Sequence, residues 1–443
     1  MMDSRFLDRL AHLDLVARTG RIRRILPTFY EADGPSLPLG ALCRIEAKGT
    51  SLSPANGSIL AQVAGVDRKT VVLAPFEAGA STFPGARVVA VQNLDNVPVG
   101  DGFLGRAVDG LGRPIDGRAP IRNPRYQPLT GPATSPLDRT SSQQTLETGI
   151  RAIDSLLTLG HGQRVGVFAA SGVGKTSLMA QLADQVEADC CVICLVGERG
   201  REVEALWSGG LSPQTKAKSV LVAATSDQAA AMRVRAGDYA LALADHWRTQ
   251  GRHVLLLLDS VTRLAMAMRE IGLAAGEPPT VRAYTPGVFA AIPRLVERCG
   301  ALRSGGAITA VITILSETDE VVDPISEMMK SLLDGHIILS RDLAEQGHFP
   351  AIDVPRSISR LARDLMDART RVAAGQAVAL LSTYETSRTL IESGVYTAGG
   401  NPEIDMAIAK RPALVKFLRQ AQVERVRSSQ ARDELAALVG GLP

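Results

Sequence analysis

Several classes of protein are excluded by what this sequence lacks. Aromatic residues make up only 4% of its 443 residues. No apolar stretch reaches the ~18 to 20 residues that a membrane-spanning helix needs, and the first residues lack the apolar core and cleavage site of a secretory signal. The sequence also lacks a large excess of charge of either sign, since it has 49 Lys and Arg and 46 Asp and Glu. Charge alone therefore indicates no nucleic-acid or membrane partner, and we expect a cytoplasmic protein.

The five cysteines do not indicate a disulfide framework, because their number is odd and three of them share one apolar run. These three are Cys190, Cys191 and Cys194. A Cys-Cys-x-x-Cys run can in principle bind a metal, but no second Cys or His pair stands nearby at ligand spacing. We therefore expect buried thiols in a strand.

The first 96 residues show two different patterns. Residues 1–19 include a helix-like segment over residues 4–17, whose apolar face is open to packing on its own domain, docking a partner helix or contacting a membrane. Residues 20–96 carry short strand-like runs between Gly, Pro and Asp clusters, which predicts a small β-barrel or sandwich. Its few aromatics show no spacing for stacking nucleic-acid bases, which disfavours that function.

From residue 97 the pattern changes to α/β and then to helix. Residues 97–362 alternate apolar strand-like runs with helical stretches, which predicts a mainly parallel sheet covered by helices. Ligands of such sheets bind at the carboxyl ends of the strands. Residues 363–443 are predicted to be mostly helical, with an apolar face and a basic face near the end.

The strongest motif is a glycine-rich loop between a strand-like run and a helical run, a P-loop. Its predicted nucleotide-binding residues are Ser171, Gly172, Val173, Gly174, Lys175, Thr176 and Ser177. Backbone N–H groups and the helix N-terminus bind phosphate oxygens there, Lys175 reaches the β- and γ-phosphates, and the Thr176 hydroxyl ligates Mg²⁺. Ala169 replaces the first glycine of the usual pattern, so a residue with less freedom must make that turn.

Two acidic elements follow other strand-like runs. Asp259 ends an apolar run that lies downstream of the P-loop in the sequence. It is predicted to hold Mg²⁺ through water. Glu198 follows a second apolar run, where a carboxylate can polarise the water that attacks the γ-phosphate. The adjoining Arg199 can orient that water or screen developing charge. A surface salt-bridge cluster is the alternative for Glu198 and Arg199.

These three elements together resemble the catalytic subunits of rotary-type hexameric ATPases, a family that includes the F-type, V-type and type III protein export ATPases. Residues 104–117, 148–154 and 350–360 carry further similar stretches, so the resemblance covers almost the whole chain. It implies an α/β fold, namely a RecA-like P-loop ATPase core with an N-terminal β-barrel domain and a C-terminal α-helical domain. It also implies ATP hydrolysis with Mg²⁺ as cofactor.

The resemblance also implies roles for single residues. Glu198 matches the glutamate that activates water, and Arg263 matches an arginine near the nucleotide. Arg360 matches an arginine finger that reaches a neighbour's γ-phosphate, which implies a homo-hexamer with sites completed in trans. Phe349 matches the aromatic residue that stacks on adenine, and Tyr396 is a candidate for the second wall.

Within this family the chain looks most like the export ATPases. Residues 382–388 lack the acidic loop by which F-type subunits engage their rotor. Residues 39–45 and 395–405 are more similar to the flagellar branch than to the injectisome branch. This implies an ATPase that drives chaperone release and delivers export substrates to a membrane gate. The alternatives are a virulence injectisome ATPase, a hexameric RNA translocase, and a non-catalytic ring subunit, the last of which Glu198 and Arg360 disfavour.

The partners implied by the resemblance follow from that role. They are a negative regulator that binds the helix of residues 1–19, stalk-like proteins, export chaperones and substrates, and the membrane export gate. No nucleic acid is expected. The implied location is cytoplasmic and peripheral to the inner membrane at the flagellar base.

Overall fold

The computed structural model describes most of the chain. The described residues are 18–46, 58–79, 82–91, 96–131, 134–140, 144–316 and 323–440. The helix predicted over residues 4–17 lies outside them. Among the described helices, none has both the length and the apolar character needed to cross a bilayer.

Six antiparallel strands near the N-terminus close into a barrel in the order β1-β2-β5-β4-β3-β6, with β6 pairing back to β1. The strands are β1 (Thr19–Ile25), β2 (Tyr30–Ala32), β3 (Leu42–Glu46), β4 (Ser58–Val66), β5 (Val71–Pro75) and β6 (Arg87–Ala90). Their residues alternate between the barrel interior and its outside, as β4 shows with buried Ile59, Ala61 and Val63. The predicted barrel is confirmed, and the sandwich alternative is wrong because β1 closes the sheet.

A ten-stranded sheet forms the centre of the molecule, and its main path runs β20-β19-β13-β18-β16-β14-β15-β8. Strands β13 to β16, β18 and β19 are mutually parallel where they pair, as the alternation of strand-like and helical runs predicted. Its strands are β8 (Arg106–Val108), β10 (Arg139–Thr140), β13 (Arg164–Ala169), β14 (Cys190–Val196), β15 (Ser219–Ala224), β16 (His253–Asp259), β17 (Gly300–Leu302), β18 (Ala307–Leu315), β19 (Gly335–Leu339) and β20 (Ile358–Ser359). Two small antiparallel pairs flank this sheet: β7 (Asn96–Val99) with β9 (Arg125–Pro128), and β11 (Thr145–Leu146) with β12 (Leu159–Gly160).

Helices cover both faces of this sheet, which explains why its central strands are apolar throughout. In β14, for example, Val192 packs into the core on one face and Ile193 into the core on the other. The helices of this part are α1 (Arg151–Leu156), α2 (Lys175–Gln185), α3 (Gly200–Gly209), α4 (Pro213–Ala217), α5 (Ala230–Arg248), α6 (Val261–Ala274), α7 (Pro286–Glu297), α8 (Pro324–Leu332), α9 (Arg341–Glu345) and α10 (Ala362–Leu365).

The C-terminal part is helical, as predicted. It consists of α11 (Ala368–Glu392), α12 (Pro402–Leu418) and α13 (Ser428–Val439). Side chains cap two of these helices: Asp367 accepts a hydrogen bond from the Thr370 N–H at 2.7 Å, and Asn401 caps α12. The three helices pack on one another and on α1, so the C-terminal part contacts the P-loop core directly.

All five cysteines are free and buried. Burial raises the pKa of the Cys43 thiol to about 11 and that of Cys191 to about 12. The run from Cys190 lies in β14, and no group of three potential metal ligands occurs among His, Cys, Asp and Glu in the described part of the chain. The expectation of buried strand thiols is therefore confirmed.

Candidate active site

The P-loop connects the end of β13 to the start of α2. Gly172 and Gly174 have φ values of +84° and +92°, a region that residues with a side chain rarely adopt. A Cβ atom on Gly174 would also lie 3.4 Å from a ring carbon of Phe349. Ala169 is the last residue of β13 and pairs with Leu315 and Leu339. It therefore makes no turn, so replacing the usual glycine there restricts nothing.

Lys175 meets both predicted carboxylates at the end of this loop. Its Nζ atom lies 2.6 Å from Oδ1 of Asp259 and 3.2 Å from Oε1 of Glu198. The two acids converge because β14 and β16 are parallel neighbours whose carboxyl ends share one edge of the sheet. Glu198 is 4% exposed and Asp259 3% exposed. Such buried carboxylates need a paired cation, which Lys175 provides.

Asp259 is oriented by a second contact. Thr313 on β18 is fully buried, and its hydroxyl donates to Oδ1 of Asp259 at 2.6 Å. Among the residues that the structure describes, the side-chain partners of Asp259 are Lys175 and Thr313, both at Oδ1, so Oδ2 is open to a further ligand. Thr176 lines the same crevice as Asp259 and Glu198. A hydroxyl and a carboxylate oxygen suit Mg²⁺, which keeps several waters and binds phosphate, so these residues fit the implied metal.

Arg263 contacts the same carboxylate oxygen of Glu198 as Lys175 does. Its Nε atom is 3.3 Å from Oε1 of Glu198, and Nη1 donates to the Gly197 carbonyl at 2.6 Å. Gly197 has a φ of +72°, and a Cβ atom there would lie 3.0 Å from the Arg263 side chain. Oε1 of Glu198 is therefore paired with two cations, Lys175 and Arg263, close to the end of β14.

Arg199 is placed differently from its neighbour. It precedes α3 at the helix N-terminus and its side chain is exposed. Within the described ranges, no hydrogen bond or ion pair of the Arg199 side chain is present. The structure thus brings Glu198 into the buried cluster and leaves Arg199 at the surface, which is not the surface salt-bridge cluster considered as the alternative.

The two aromatic candidates lie in different surroundings. Phe349 is 47% exposed, with its ring against Gly174. Tyr396 lies in the loop between α11 and α12, where its hydroxyl donates to Asp405 at 2.9 Å and accepts from the Asn401 N–H at 3.0 Å. Phe349 is therefore at the P-loop, whereas the contacts of Tyr396 are with its own loop and the start of α12.

Arg360 lies at the opposite end of the sheet from the P-loop. It follows β20, which pairs with the start of β19 at Gly335, and Gly335 lies beside Val165 in β13. The P-loop begins four residues later, after Ala169, which is about 13 Å further at ~3.3 Å per residue. The exposed Arg360 guanidinium instead donates to the Lys330 carbonyl at 3.3 Å. The chain's own site does not include it.

Two residues near the site were missed in the sequence. Thr313 is a polar residue within an apolar strand near the carboxyl end of the sheet, and that position was a readable signal. Gln420, whose backbone N–H donates to the Phe349 carbonyl at 2.9 Å, carried no local signal because its partners in the core are distant in sequence.

Comparisons with known proteins agree with this geometry. The model of the ATP synthase alpha/beta family, nucleotide-binding domain, matches residues 149–359, and the T3SS EscN ATPase C-terminal domain matches residues 366–437. The flagellum-specific ATP synthase of Bacillus subtilis is 42% identical over 99% of both chains. The type 3 secretion system ATPase of Sinorhizobium fredii is 42% identical over 91% of this chain and 88% of its own.

Solved structures show the same architecture. The assembled ATPase EscN of the enteropathogenic E. coli type III secretion system matches with a TM-score of 0.88 and 39% identity, covering 95% of this chain and all of that one. EscN in complex with its central stalk EscO matches with a TM-score of 0.85 and 38% identity at the same coverage. The barrel, the P-loop core and the helical C-terminal part are therefore all shared with a solved relative.

Proposed function

The chain belongs to the family of flagellum-specific and type III secretion ATPases, and from this membership we propose that it hydrolyses MgATP to drive protein export through a flagellar apparatus. The observation that carries the proposal is the buried cluster of Lys175, Glu198 and Asp259 at the end of the P-loop. A non-catalytic ring subunit does not need a buried carboxylate there.

The side chains divide the reaction between them. Lys175 and the P-loop N–H groups bind the β- and γ-phosphates. Thr176 and Asp259 would hold Mg²⁺, which neutralises phosphate charge. Glu198 accepts a hydrogen bond from the attacking water and takes its proton at a carboxylate oxygen, while Arg263 keeps that carboxylate in place.

Other residues contact the adenine base and the charge that develops on the γ-phosphate. Phe349 offers its exposed ring to the adenine at the P-loop, and the contacts of Tyr396 make it the weaker of the two proposed walls. Arg360 supplies a positive charge to a neighbouring subunit's γ-phosphate, which the position of β20 far from the chain's own P-loop supports. The exposed Arg199 side chain lies at the start of α3. It can reach the charge that develops on a γ-phosphate only if that phosphate approaches α3 from the solvent side.

The flagellar function is favoured over the injectisome function by how much of the chain aligns. The Bacillus subtilis flagellar relative spans 99% of this chain, whereas the Sinorhizobium fredii secretion relative spans 91% at the same identity. The solved type III secretion ATPases are 38 to 42% identical to this chain, which is no higher than the 42% of the Bacillus subtilis flagellar relative. The aromatic-poor barrel likewise favours no nucleic-acid partner.

The partners we propose follow from this assignment. A homo-hexamer completes each site with a neighbour's Arg360, and a stalk-like protein engages the ring as EscO does for EscN. Export chaperones, export substrates and the membrane gate contact the C-terminal helices, and a negative regulator binds residues 1–19. The proposed location is cytoplasmic and peripheral to the inner membrane at the flagellar base.

A deletion experiment tests the export assignment. Removing this chain from its host should abolish flagellar filaments, and supplying it again should restore them. A chain carrying Glu198→Gln should not restore them. Filaments that persist while secretion of effector proteins is lost would instead assign the chain to an injectisome.

A further inference from the structure

The segment that joins the last two helices runs across the P-loop core. We call residues 419–427, between α12 and α13, the C-terminal linker. Gln420 in this linker is only 4% exposed, although glutamine usually lies at the surface. A buried amide needs partners for its oxygen and its nitrogen, so its hydrogen bonds show what the linker is attached to.

Gln420 makes four hydrogen bonds, three of them to the P-loop core. Its Oε1 accepts from the Arg151 N–H at 2.8 Å, and its Nε2 donates to the Gly149 carbonyl at 2.7 Å. Nε2 also donates to the Glu424 carbonyl at 2.8 Å within the linker. Its backbone N–H donates to the Phe349 carbonyl at 2.9 Å. One residue therefore joins the segment before α1 to the segment that carries the Phe349 ring.

Gly149, which accepts the hydrogen bond from the Gln420 side chain, is itself held in place. The Gly149 N–H donates to the buried Asp154 carboxylate at 2.9 Å, and Gly149 has a φ of +73°. A Cβ atom on Gly149 would lie 2.5 Å from Oε1 of Gln185. The linker thus docks on a backbone position that leaves no room for a side chain.

A second glutamine ties the same linker to the P-loop helix. Gln185 is the last residue of α2, and its Nε2 donates to the carbonyls of Gln422 at 3.2 Å and Glu424 at 3.0 Å. Gln185 thus holds the linker against the helix that begins at Lys175, while Gln420 holds it against Gly149 and Arg151. Movement of the C-terminal helices relative to the core must therefore break these bonds or carry the Phe349 segment along.

We propose that Gln420 is a positioning residue for the nucleotide base. Its side chain locks the linker onto Gly149 and Arg151, and its N–H then fixes the backbone of Phe349, whose ring lies over Gly174. This inference rests on the proposed function, in which Phe349 stacks on adenine. It makes the placement of the C-terminal helices a determinant of ATP affinity, while the groups that bind the phosphates are untouched.

Gln420→Met tests the proposal in the full chain, because methionine has a similar length and no hydrogen-bonding amide. Since one net hydrogen bond corresponds to about a fivefold change, we expect KM for ATP to rise about fivefold and kcat to stay within about twofold. Binding of inorganic tripolyphosphate, which has phosphates and no base, should stay within about twofold. Equal weakening of ATP and tripolyphosphate would overturn the proposal, because the lock would then act on the P-loop.

A double-mutant cycle shows whether Gln420 acts through Phe349. In a Phe349→Ala background, Gln420→Met should change the ATP affinity by less than about twofold, because the ring that it positions is gone. Full additivity of the two substitutions contradicts the proposal. Gln185→Met frees the linker from α2 and should also raise KM for ATP. It replaces Gln420→Met as the test if that variant does not fold.

Two further variants complete the comparison. Gln420→Glu keeps the acceptor for the Arg151 N–H but sets a carboxylate oxygen against the carbonyls of Gly149 and Glu424, so it should not restore the lost affinity. Arg369→Gln breaks only an exposed ion pair with Asp433 in the C-terminal helices and should match the wild type. A wild-type chain that hydrolyses no ATP would refute the proposed function, whereas an active wild type with an unchanged Gln420→Met KM would refute this inference alone.

Discussion

At the scale of single residues, the site depends on how the buried Glu198 carboxylate is paired with two cations. Oε1 of Glu198 has Lys175 at 3.2 Å and Arg263 at 3.3 Å, so the carboxylate is fixed by two cations. An ionised, oriented carboxylate can take a proton from water, whereas an amide in the same place cannot. In the proposed mechanism, the chemistry therefore depends on the charge of the Glu198 side chain more than on its shape.

Glu198→Gln should separate binding from hydrolysis. We expect the variant to bind MgATP and to hydrolyse it at least about tenfold more slowly, since a general base contributes at least that factor. Phosphate release and nucleotide binding are the measurements. Glu204→Gln, at an exposed position of the same helix α3, is the matched control and should behave as wild type. Near-normal turnover of Glu198→Gln would assign the water-activating role to another group.

Thr313→Val should weaken the use of Mg²⁺. The substitution removes the hydroxyl that donates to Asp259 at 2.6 Å and keeps nearly the same volume. We expect the Mg²⁺ concentration for half-maximal hydrolysis to rise about fivefold, because an oriented ligand has lost its support. Thr309→Val is the control: it is buried in the same strand but bonds to Gly162 and His253, away from Asp259. An equal shift in both variants would argue against the role of Thr313.

At the scale of elements, the P-loop turn depends on backbone freedom at Gly174. Its φ of +92° costs an alanine about 1 to 2 kcal/mol, and the added Cβ would touch the Phe349 ring. Gly174→Ala should therefore weaken ATP binding about tenfold. Gly209→Ala, at the exposed end of α3 with open space around it, should bind ATP normally and be slightly more stable. Titration with ATP and thermal unfolding check the two variants, and normal binding by Gly174→Ala would refute the argument.

The buried His348, next to Phe349 in the chain, makes the stability of the fold sensitive to acid. Burial lowers the pKa of His348 to about 4, with further lowering by Arg419 and Arg411. The folded chain keeps this ring neutral, whereas the unfolded chain protonates it below about 6.5. Its contribution to stability is therefore intact above about pH 6.5 and is lost as the pH falls towards 4.

His348→Gln should reduce this loss. Each pH unit between about 6.5 and 4 costs the wild type up to ~1.4 kcal/mol through this group, and the variant removes that cost. Melting temperatures of both proteins at pH 7.5, 6 and 5 measure the difference. Burial also lowers the pKa of His253 to about 4, so both proteins still lose stability in acid. Parallel curves for the two proteins would exclude the contribution of His348.

The elements that sequence could predict are those whose signal is local. The strand before the P-loop, the strand ending at Asp259 and the terminal helices follow from apolar runs and helical spacing. The choice between barrel and sandwich was open because both have the same alternation, and only the pairing of β1 with β6 decides it. The role of Gln420 could not be predicted from the sequence either, because its partner Gly149 is 271 residues away.

At the scale of the whole molecule, the two halves of the proposed site lie on different sides of one chain. The P-loop follows the carboxyl end of β13, and Arg360 lies beside the amino end of β19 at the edge of the sheet. One chain cannot bring both to one phosphate, because the intervening strands are paired throughout. The resemblance implied sites completed in trans, and the position of Arg360 gives a physical reason to expect them.

Mixing two inactive variants tests this arrangement. Lys175→Ala removes the proposed phosphate-binding lysine and Arg360→Ala removes the proposed arginine finger. Each protein alone should hydrolyse ATP at least about tenfold more slowly than wild type. In mixed rings, a subunit with intact Lys175 meets a neighbour with intact Arg360 at about a quarter of the interfaces, if assembly is random. A mixture assembled from equal amounts should therefore recover about a quarter of wild-type activity. A mixture no more active than the average of its components would place Arg360 outside the neighbour's site.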